Sequence, residues 1–345
     1  MRSAAFAIPG DITTLTGGYI YERRLLEGLR GRGHDVQHIE LGDTFPTPTD
    51  DHMACAIGAL TALPPERALI LDGLVYGSID TAGLAQIRTP IVAMIHHPLA
   101  LETGLDTATK AHLYKTERDN LALASHVLVP SPHTAQILTS DYAVPLEKIT
   151  IAQPGTMRPP LPRMPTHPPL ILSVGILHPR KGHDVLLAAL SRLAHLDWRA
   201  AIVGSLHDPV YAEGLTEQLH ALGLSDRVDL MGRVAQSELD QLYAEATLFT
   251  LATRYEGYGI VFDEALVRGL PIVTCATGAV PQTVPEEAGL LVAPDDASAL
   301  SRAMETLLTD TKKRETMAKA ALRAGNALPT WEDTARKASN VLERL

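Results

Sequence analysis

The run Thr253-Arg254-Tyr255-Glu256-Gly257-Tyr258-Gly259-Ile260-Val261-Phe262-Asp263-Glu264-Ala265-Leu266 follows an apolar strand and opens a helix that ends at Gly269. It carries two carboxylates with seven residues between them. Glu256 falls in the loop ahead of the helix and Glu264 about one turn inside it, so both can point to one mouth. Gly257 and Gly259 let backbone amides come close to a ligand there. The plainer alternative is a glycine-rich turn with two solvated glutamates, and spacing by itself does not choose between them.

Four other places could carry chemistry. In Val174-Gly175-Ile176-Leu177-His178-Pro179-Arg180-Lys181-Gly182-His183, two cations precede a helix expected to start near Asp184. Cations beside helix amides form a natural diphosphate site, although an Arg-Lys pair is also an ordinary surface loop. The turn Ala276-Thr277-Gly278-Ala279-Val280-Pro281 could present free amides to phosphate and is weak alone. Gly17 and Gly18 follow the first strand and a polar loop, and a helix is expected to begin after them. They do not form the Gly-x-Gly-x-x-Gly fingerprint of dinucleotide enzymes. In Ile95-His96-His97-Pro98, at the end of an apolar strand, a histidine could donate to a sugar hydroxyl or phosphate, or could simply cap the strand. His96 is the candidate, and His97 takes its place if the strand runs one residue further. Two adjacent histidines lack the carboxylate or third histidine of a metal site, so no metal is expected.

Composition narrows the class. Of 345 residues, 46% are hydrophobic and 20% charged, which supports sizeable cores. The net charge of −10, with no dense Lys/Arg tract, disfavours nucleic-acid binding. Cys55 and Cys275 are far apart and read as two buried thiols in a reducing compartment. No apolar run could span a bilayer and the N-terminal run is too short for a signal peptide. A cytoplasmic protein is expected, and peripheral contact with the inner membrane face is compatible with that.

The elements that must position these residues alternate along the chain. Strands are expected at 4–8, 36–41, 68–71, 91–96, 127–130 and 149–152, then at 170–174, 200–203, 228–231, 248–251, 272–275 and 290–292. Amphipathic helices lie between them, among them 19–30, 184–194, 211–222 and 238–245. Continuous apolar strands alternating with helices mean α/β architecture with parallel sheets covered on both faces. Residues 156–169 hold six prolines, which cannot be helix or interior strand and read as a stiff linker. The division expected is a domain at 1–155, the linker at 156–169, a second domain at 170–330 and a helix at 331–345 that crosses back to the first domain. Two such doubly wound domains would face a central cleft lined by strand ends.

Taken together, and in this order along almost the whole chain, Gly17-Gly18, His96, Arg180-Lys181-Gly182, Glu256 with Glu264 and the Gly278 turn resemble the retaining GT-B glycosyltransferases of family 4, the glycosyl transferases group 1. The Glu-x7-Glu element within Arg-Tyr-Glu-Gly-Tyr-Gly is the most specific part. The resemblance implies two Rossmann-like domains, with the first binding the acceptor and the second the nucleotide sugar. It further implies that Lys181 with Arg180 binds the donor diphosphate and that Glu264 holds the ribose. Glu256 and the amides of Gly257, Tyr258 and Gly259 would contact the sugar. His96 would reach the sugar near the reacting carbon, Gly17 and Gly18 the diphosphate, and the backbone near Arg233 the base. The sequence departs from the pattern at Ile176, where many members carry arginine, and at Gln282, where many have Glu.

The activity so implied is transfer of a sugar from a nucleotide-diphosphate sugar to a hydroxyl acceptor, with retention and with a donor phosphate oxygen taking the acceptor proton. No Asp-x-Asp triplet occurs, so protein cations would stand in for a metal at the leaving group, and no cofactor is expected beyond the donor substrate. The rivals are a nucleotide-sugar epimerase on the same fold and an inactive nucleotide-sugar-binding module.

Overall fold

Twelve short apolar runs become strands in the computed structural model, which describes residues 2–345. The first six are β1 (Ala4–Pro9), β2 (Val36–Leu41), β3 (Ala68–Asp72), β4 (Ile91–Met94), β5 (His126–Val129) and β6 (Ile149–Ile151). The other six are β7 (Leu170–Val174), β8 (Arg199–Val203), β9 (Val228–Gly232), β10 (Ala246–Leu251), β11 (Ile272–Cys275) and β12 (Gly289–Val292). The chain divides into two compact units, one made of Met1–Gly155 with Pro329–Leu345, the other of Thr156–Leu328.

The first unit holds a sheet of order β2-β1-β3-β4-β5-β6, parallel throughout. β1, β3 and β4 are buried along their whole length, as a parallel sheet covered by helices requires. The helix Gly17–Gly31 turns Tyr21, Leu25, Leu26 and Leu29 inward at helical spacing, and Glu22 with them. The helix Trp331–Leu342 starts on a capping box formed by Thr330 and Asp333. It lies against Gly17–Gly31, where a Cβ on Gly28 would come within 2.6 Å of the Ala335 methyl. Thr334 Oγ1 donates to Gln153 O at 2.6 Å and Tyr21 Oη to Ala152 O at 2.8 Å, which ties this helix and Gly17–Gly31 to the end of the sheet.

The second unit holds a parallel sheet of order β12-β11-β10-β7-β8-β9. Two apolar clusters serve it, one around Leu186, Trp198 and Leu300, the other around Phe249, Phe262 and Leu266. The proline-rich stretch is bonded into this unit. The amides of Met164 and Thr166 donate to Ala244 O and Glu245 O, and Arg163 reaches Gly269 O at 2.8 Å and Ala246 O at 2.9 Å. Extended proline-rich backbone finds partners here at a strand-entry corner instead of in a neighbouring strand.

Three sequence expectations need correction. Cys55 is exposed on the helix Asp50–Thr61, and only Cys275 is buried. In that helix Ala56 and Leu60 are buried and Met53 and Ile57 pack against the core, so the position of Cys55 on the outer face overrides the usual burial of a thiol. β4 stops at Met94 instead of residue 96, which leaves His96 and His97 in the bend beyond it. Gly17 and Gly18 form the first turn of their helix instead of preceding it. Among the described residues no helix is long and apolar enough to cross a membrane.

Candidate functional site

In each sheet the chain starts in the interior, moves to one side, then returns and continues on the other. The carboxyl ends of the strands flanking that reversal diverge and leave a crevice where open α/β sheets bind ligands. In the second unit the reversal lies between β7 and β10. The segments leaving those strands carry Arg180-Lys181 and Thr253–Glu256.

These segments are joined directly. Lys181 Nζ lies 2.5 Å from Glu256 Oε1, and Arg180 Nη1 lies 3.7 Å from Glu256 Oε2. Thr253 Oγ1 donates to Glu256 Oε1 at 3.0 Å. Burial alone would push the Glu256 carboxyl up, but the charges of Lys181 and Arg180 and the two hydrogen bonds outweigh it and hold the group below its ordinary value. Glu256 is therefore an ionised carboxylate, 5% exposed. Lys181 sits in a short turn, Pro179–Lys181, which His178 caps by accepting the Arg180 amide at 3.2 Å.

Arg254 staples the two loops. Its guanidinium donates to both oxygens of Asp184, at 3.1 and 2.7 Å, to Asp295 at 2.8 Å and to Pro179 O. Its own amide donates to Arg180 O at 2.7 Å. A bidentate guanidinium fixes both position and angle. Gly278 adds a second clasp, because it takes a positive φ of 54° and a Cβ there would lie 2.2 Å from Glu256 O. The Ala279 amide donates to that same oxygen at 2.9 Å. At this turn glycine serves the closeness of two backbones.

Glu264 lies on the helix Ile260–Val267, half-buried, and accepts from Tyr243 Oη at 2.8 Å. Burial raises its carboxyl, and the Tyr243 bond and the Arg268 charge only partly oppose this. Glu256 and Glu264 are thus shifted in opposite directions, since the facing groups outweigh burial at Glu256 and not at Glu264. Tyr258 is buried, with its hydroxyl on Asp263 at 2.7 Å, and burial pushes Asp263 up to about 7. Gly257 is buried beside it, and Gly259, at φ 92°, leads into the helix. Arg233 is exposed and lines an open cavity of about 600 Å³ with Thr216, Leu219 and residues 228–231 at the β9 edge of the sheet.

In the first unit the reversal lies between β1 and β3. Gly17 and Gly18 follow β1, Asp72 ends β3, and His96 follows the neighbouring β4. The structure brings Gly18 and His96 together, with the imidazole 3.6 Å from where a Gly18 Cβ would be. The ring of Tyr21 meets the imidazole edge-on at 5.3 Å. His97 is engaged elsewhere, with Nε2 3.1 Å from Glu102 Oε2.

Sequence reading missed Glu22 and Asp72, which stand behind His96. One ligand atom from each of the three residues lies within 4.8 Å of the others, the one such group of metal-ligating side chains among the described residues. Both carboxyls are pushed up, Glu22 by burial and Asp72 by burial and the neighbouring Glu22 charge, which is the electrostatics of an acid pair. Both left a trace in the sequence. Glu22 breaks the apolar stripe of its helix, and Asp72 closes a wholly apolar strand. Arg254 and Asp184 were visible as residues, but their pairing links segments 70 positions apart.

Comparison with known proteins places the second unit in a family. Residues 162–324 match the family described as Glycosyl transferases group 1. D-inositol 3-phosphate glycosyltransferase of Xylanimonas cellulosilytica is 29% identical over 236 residues, 63% of this chain and 56% of the relative. The GDP-mannose-dependent alpha-(1-6)-phosphatidylinositol monomannoside mannosyltransferase of Mycobacterium tuberculosis is 32% identical over 182 residues, 50% of this chain and 47% of the relative. The chain spans about half the length of these curated relatives. Sucrose-phosphate synthase of Thermosynechococcus elongatus superimposes with a TM-score of 0.86 at 22% identity, over 100% of this chain and 99% of that one. Residues 162–324 therefore carry a Glycosyl transferases group 1 domain, in a chain with the GT-B fold.

Proposed function

We propose that this chain is a glycosyltransferase that moves a sugar from a nucleotide-diphosphate sugar to a hydroxyl acceptor, with retention and without a required metal. The observation that carries this reading is the pairing of Lys181 with Glu256 at the β7/β10 reversal, inside the matched domain. A departing diphosphate needs preorganised positive charge. Lys181 and Arg180 supply it on a turn that His178 and Arg254 hold in place. In the resting protein the Glu256 carboxylate occupies Lys181, so the incoming diphosphate takes over part of that charge as it binds.

The residue roles follow from this assignment. Glu256 and the backbone of Gly257, Tyr258 and Gly259 contact the donor sugar, Glu264 the ribose, and the Arg233 backbone the base. Gly17 and Gly18 serve the diphosphate and His96 the sugar. The donor's own phosphate oxygen accepts the acceptor proton, so no dedicated base is required. The relatives, a glycosyltransferase and a GDP-mannose-dependent mannosyltransferase, support the reaction class and the nucleotide-sugar donor.

The test is incubation of purified protein with a panel of nucleotide sugars, with and without EDTA. Slow release of nucleoside diphosphate that survives chelation is the expected result. Turnover abolished by EDTA and restored by magnesium or manganese overturns metal independence. Interconversion of the sugar without release would mean an epimerase, and no change to any donor would mean a binding module.

A further inference from the structure

Glu22 and Asp72 are 1% and 3% exposed, and one carboxyl oxygen of each lies within 4.8 Å of the other and of a His96 ring nitrogen. Glu22 Oε1 has no hydrogen-bond partner, and His96 Nε2, likewise without one, lies 3.6 Å from it. Asp72 spends one oxygen on the Leu74 amide at 2.8 Å. The titratable groups that face this cluster are Tyr19 and Tyr21 from the same helix as Glu22, with Asp43 and Asp11 acting on Tyr19 from farther out. Among the described residues no lysine or arginine acts on either carboxyl, and the one cationic group that does is His96.

Two buried carboxylates this close cannot both ionise without a cation between them. One proton held between them removes the repulsion and leaves a single negative charge facing His96. Such a pair titrates as a unit.

We propose that Glu22 and Asp72 share one proton and act as positioning residues for His96, holding the imidazole by Nε2 and setting its charge state. His96 keeps 24% of its side chain accessible, so the pair acts through it and touches no ligand itself. The consequence for catalysis rests on the role proposed above for His96; the state of the imidazole does not.

The test is NMR titration of the His96 imidazole in the free protein, with His96→Gln used to assign the resonance. An amide mimics a protonated carboxyl, so Glu22→Gln and Asp72→Asn each keep one charge beside His96. Each single variant is expected to leave the midpoint within about half a pH unit of wild type. The double variant removes the charge, and its midpoint should fall by roughly 1–3 pH units, the usual effect of losing an opposite charge at this range.

A single variant that shifts the midpoint as far as the double would show two independent carboxylates and overturn the sharing. A double variant without effect would overturn the positioning. Zinc or manganese that alters the wild-type resonance at stoichiometric amounts, but not the double variant's, would replace the acid pair with a cation site. Should the double variant not fold, the isosteric single variants still decide the sharing. The kcat–pH profile is a second readout, since a merely structural pair would leave its midpoint unmoved in every variant. The imidazole titration is read without turnover, so failure of the transferase reading would not be mistaken for failure of this one.

Discussion

The two sheets present the same topological feature and fill it with opposite electrostatics. At β7/β10, Glu256 is surrounded by Lys181, Arg180 and a hydroxyl, and the two cations hold its carboxyl below its ordinary value. At β1/β3, Glu22 and Asp72 have each other and one imidazole, and burial pushes Glu22 up to about 7. Burial is comparable, so the neighbouring charge decides the outcome. The second unit matches a buried carboxylate with two cations. The first holds two carboxyls with no lysine or arginine among the described residues acting on them.

The largest expected effect comes from removing the cation. Lys181→Ala should lower turnover by about a hundredfold or more, as loss of one preorganised charge at a leaving group does. It should also cost about 3 kcal/mol of stability, because Glu256 is left buried with only Arg180 at 3.7 Å. Adding Glu256→Gln should recover most of the stability and none of the activity. Steady-state assays and denaturant unfolding read the two effects separately. If the double variant is no more stable than Lys181→Ala, the ion pair is not what holds these loops.

Next in size is the split between the two glutamates. Glu264→Ala should weaken binding of nucleoside diphosphate by about 1.5–3 kcal/mol, the worth of a charged hydrogen bond. Glu256→Ala should bind it nearly as well as wild type and lose kcat instead. Calorimetric titration without sugar is the measurement, and the reverse pattern would exchange the roles.

The pH dependence of stability should run in opposite directions at the two sites. Glu22 has its folded value raised from the ordinary 4.5 to about 7. Its contribution is full below 4.5 and is lost as pH rises through about 7. Glu256 is lowered, so its contribution is present above 4.5 and is lost as pH falls through the folded value. Between pH 5 and 8, Glu22→Gln should lose less stability than wild type, and between pH 7 and 3 Glu256→Gln should do the same. Parallel curves for a variant and wild type would remove that site from the comparison.

Much of the architecture was legible because a buried parallel strand needs a continuous apolar run, as in β1, β3 and β4, whereas the edge strands β2 and β9 carry Gln37, His38, Glu40 and Asp229. The strand ends were less legible, since His96 and Pro130 continue the apolar run past the last ladder bond. The second unit's site could be read from Arg180, Lys181, Glu256 and Glu264 because glycines and charges cluster locally there. The acid pair could not. Glu22, Asp72 and His96 are separated by 50 and 24 positions, and the local trace that each left did not say that they meet. The stapling role of Arg254 was hidden for the same reason, as it depends on β7 and β10 being neighbours.

The smallest effect expected concerns the hydroxyls beside the two glutamates of the second unit. Tyr243→Phe keeps the ring on Phe249 and under Arg268 and removes only the donor to Glu264. That hydrogen bond opposes the rise caused by burial, so without it the carboxyl protonates at higher pH. Nucleoside-diphosphate affinity should drop a few-fold near neutrality, about 1 kcal/mol, and should fall off at higher pH than in wild type. Thr253→Val removes the equivalent donor to Glu256, but there the Lys181 and Arg180 charges dominate the terms that keep it ionised. Its kcat–pH profile should therefore keep the wild-type acid limb. Affinity measured from pH 5 to 8 for the first variant, and turnover over the same range for the second, separates a carboxylate held by a phenol from one held by cations. An acid limb displaced equally in both would mean that the two glutamates share one environment, and the distinction between them would fall.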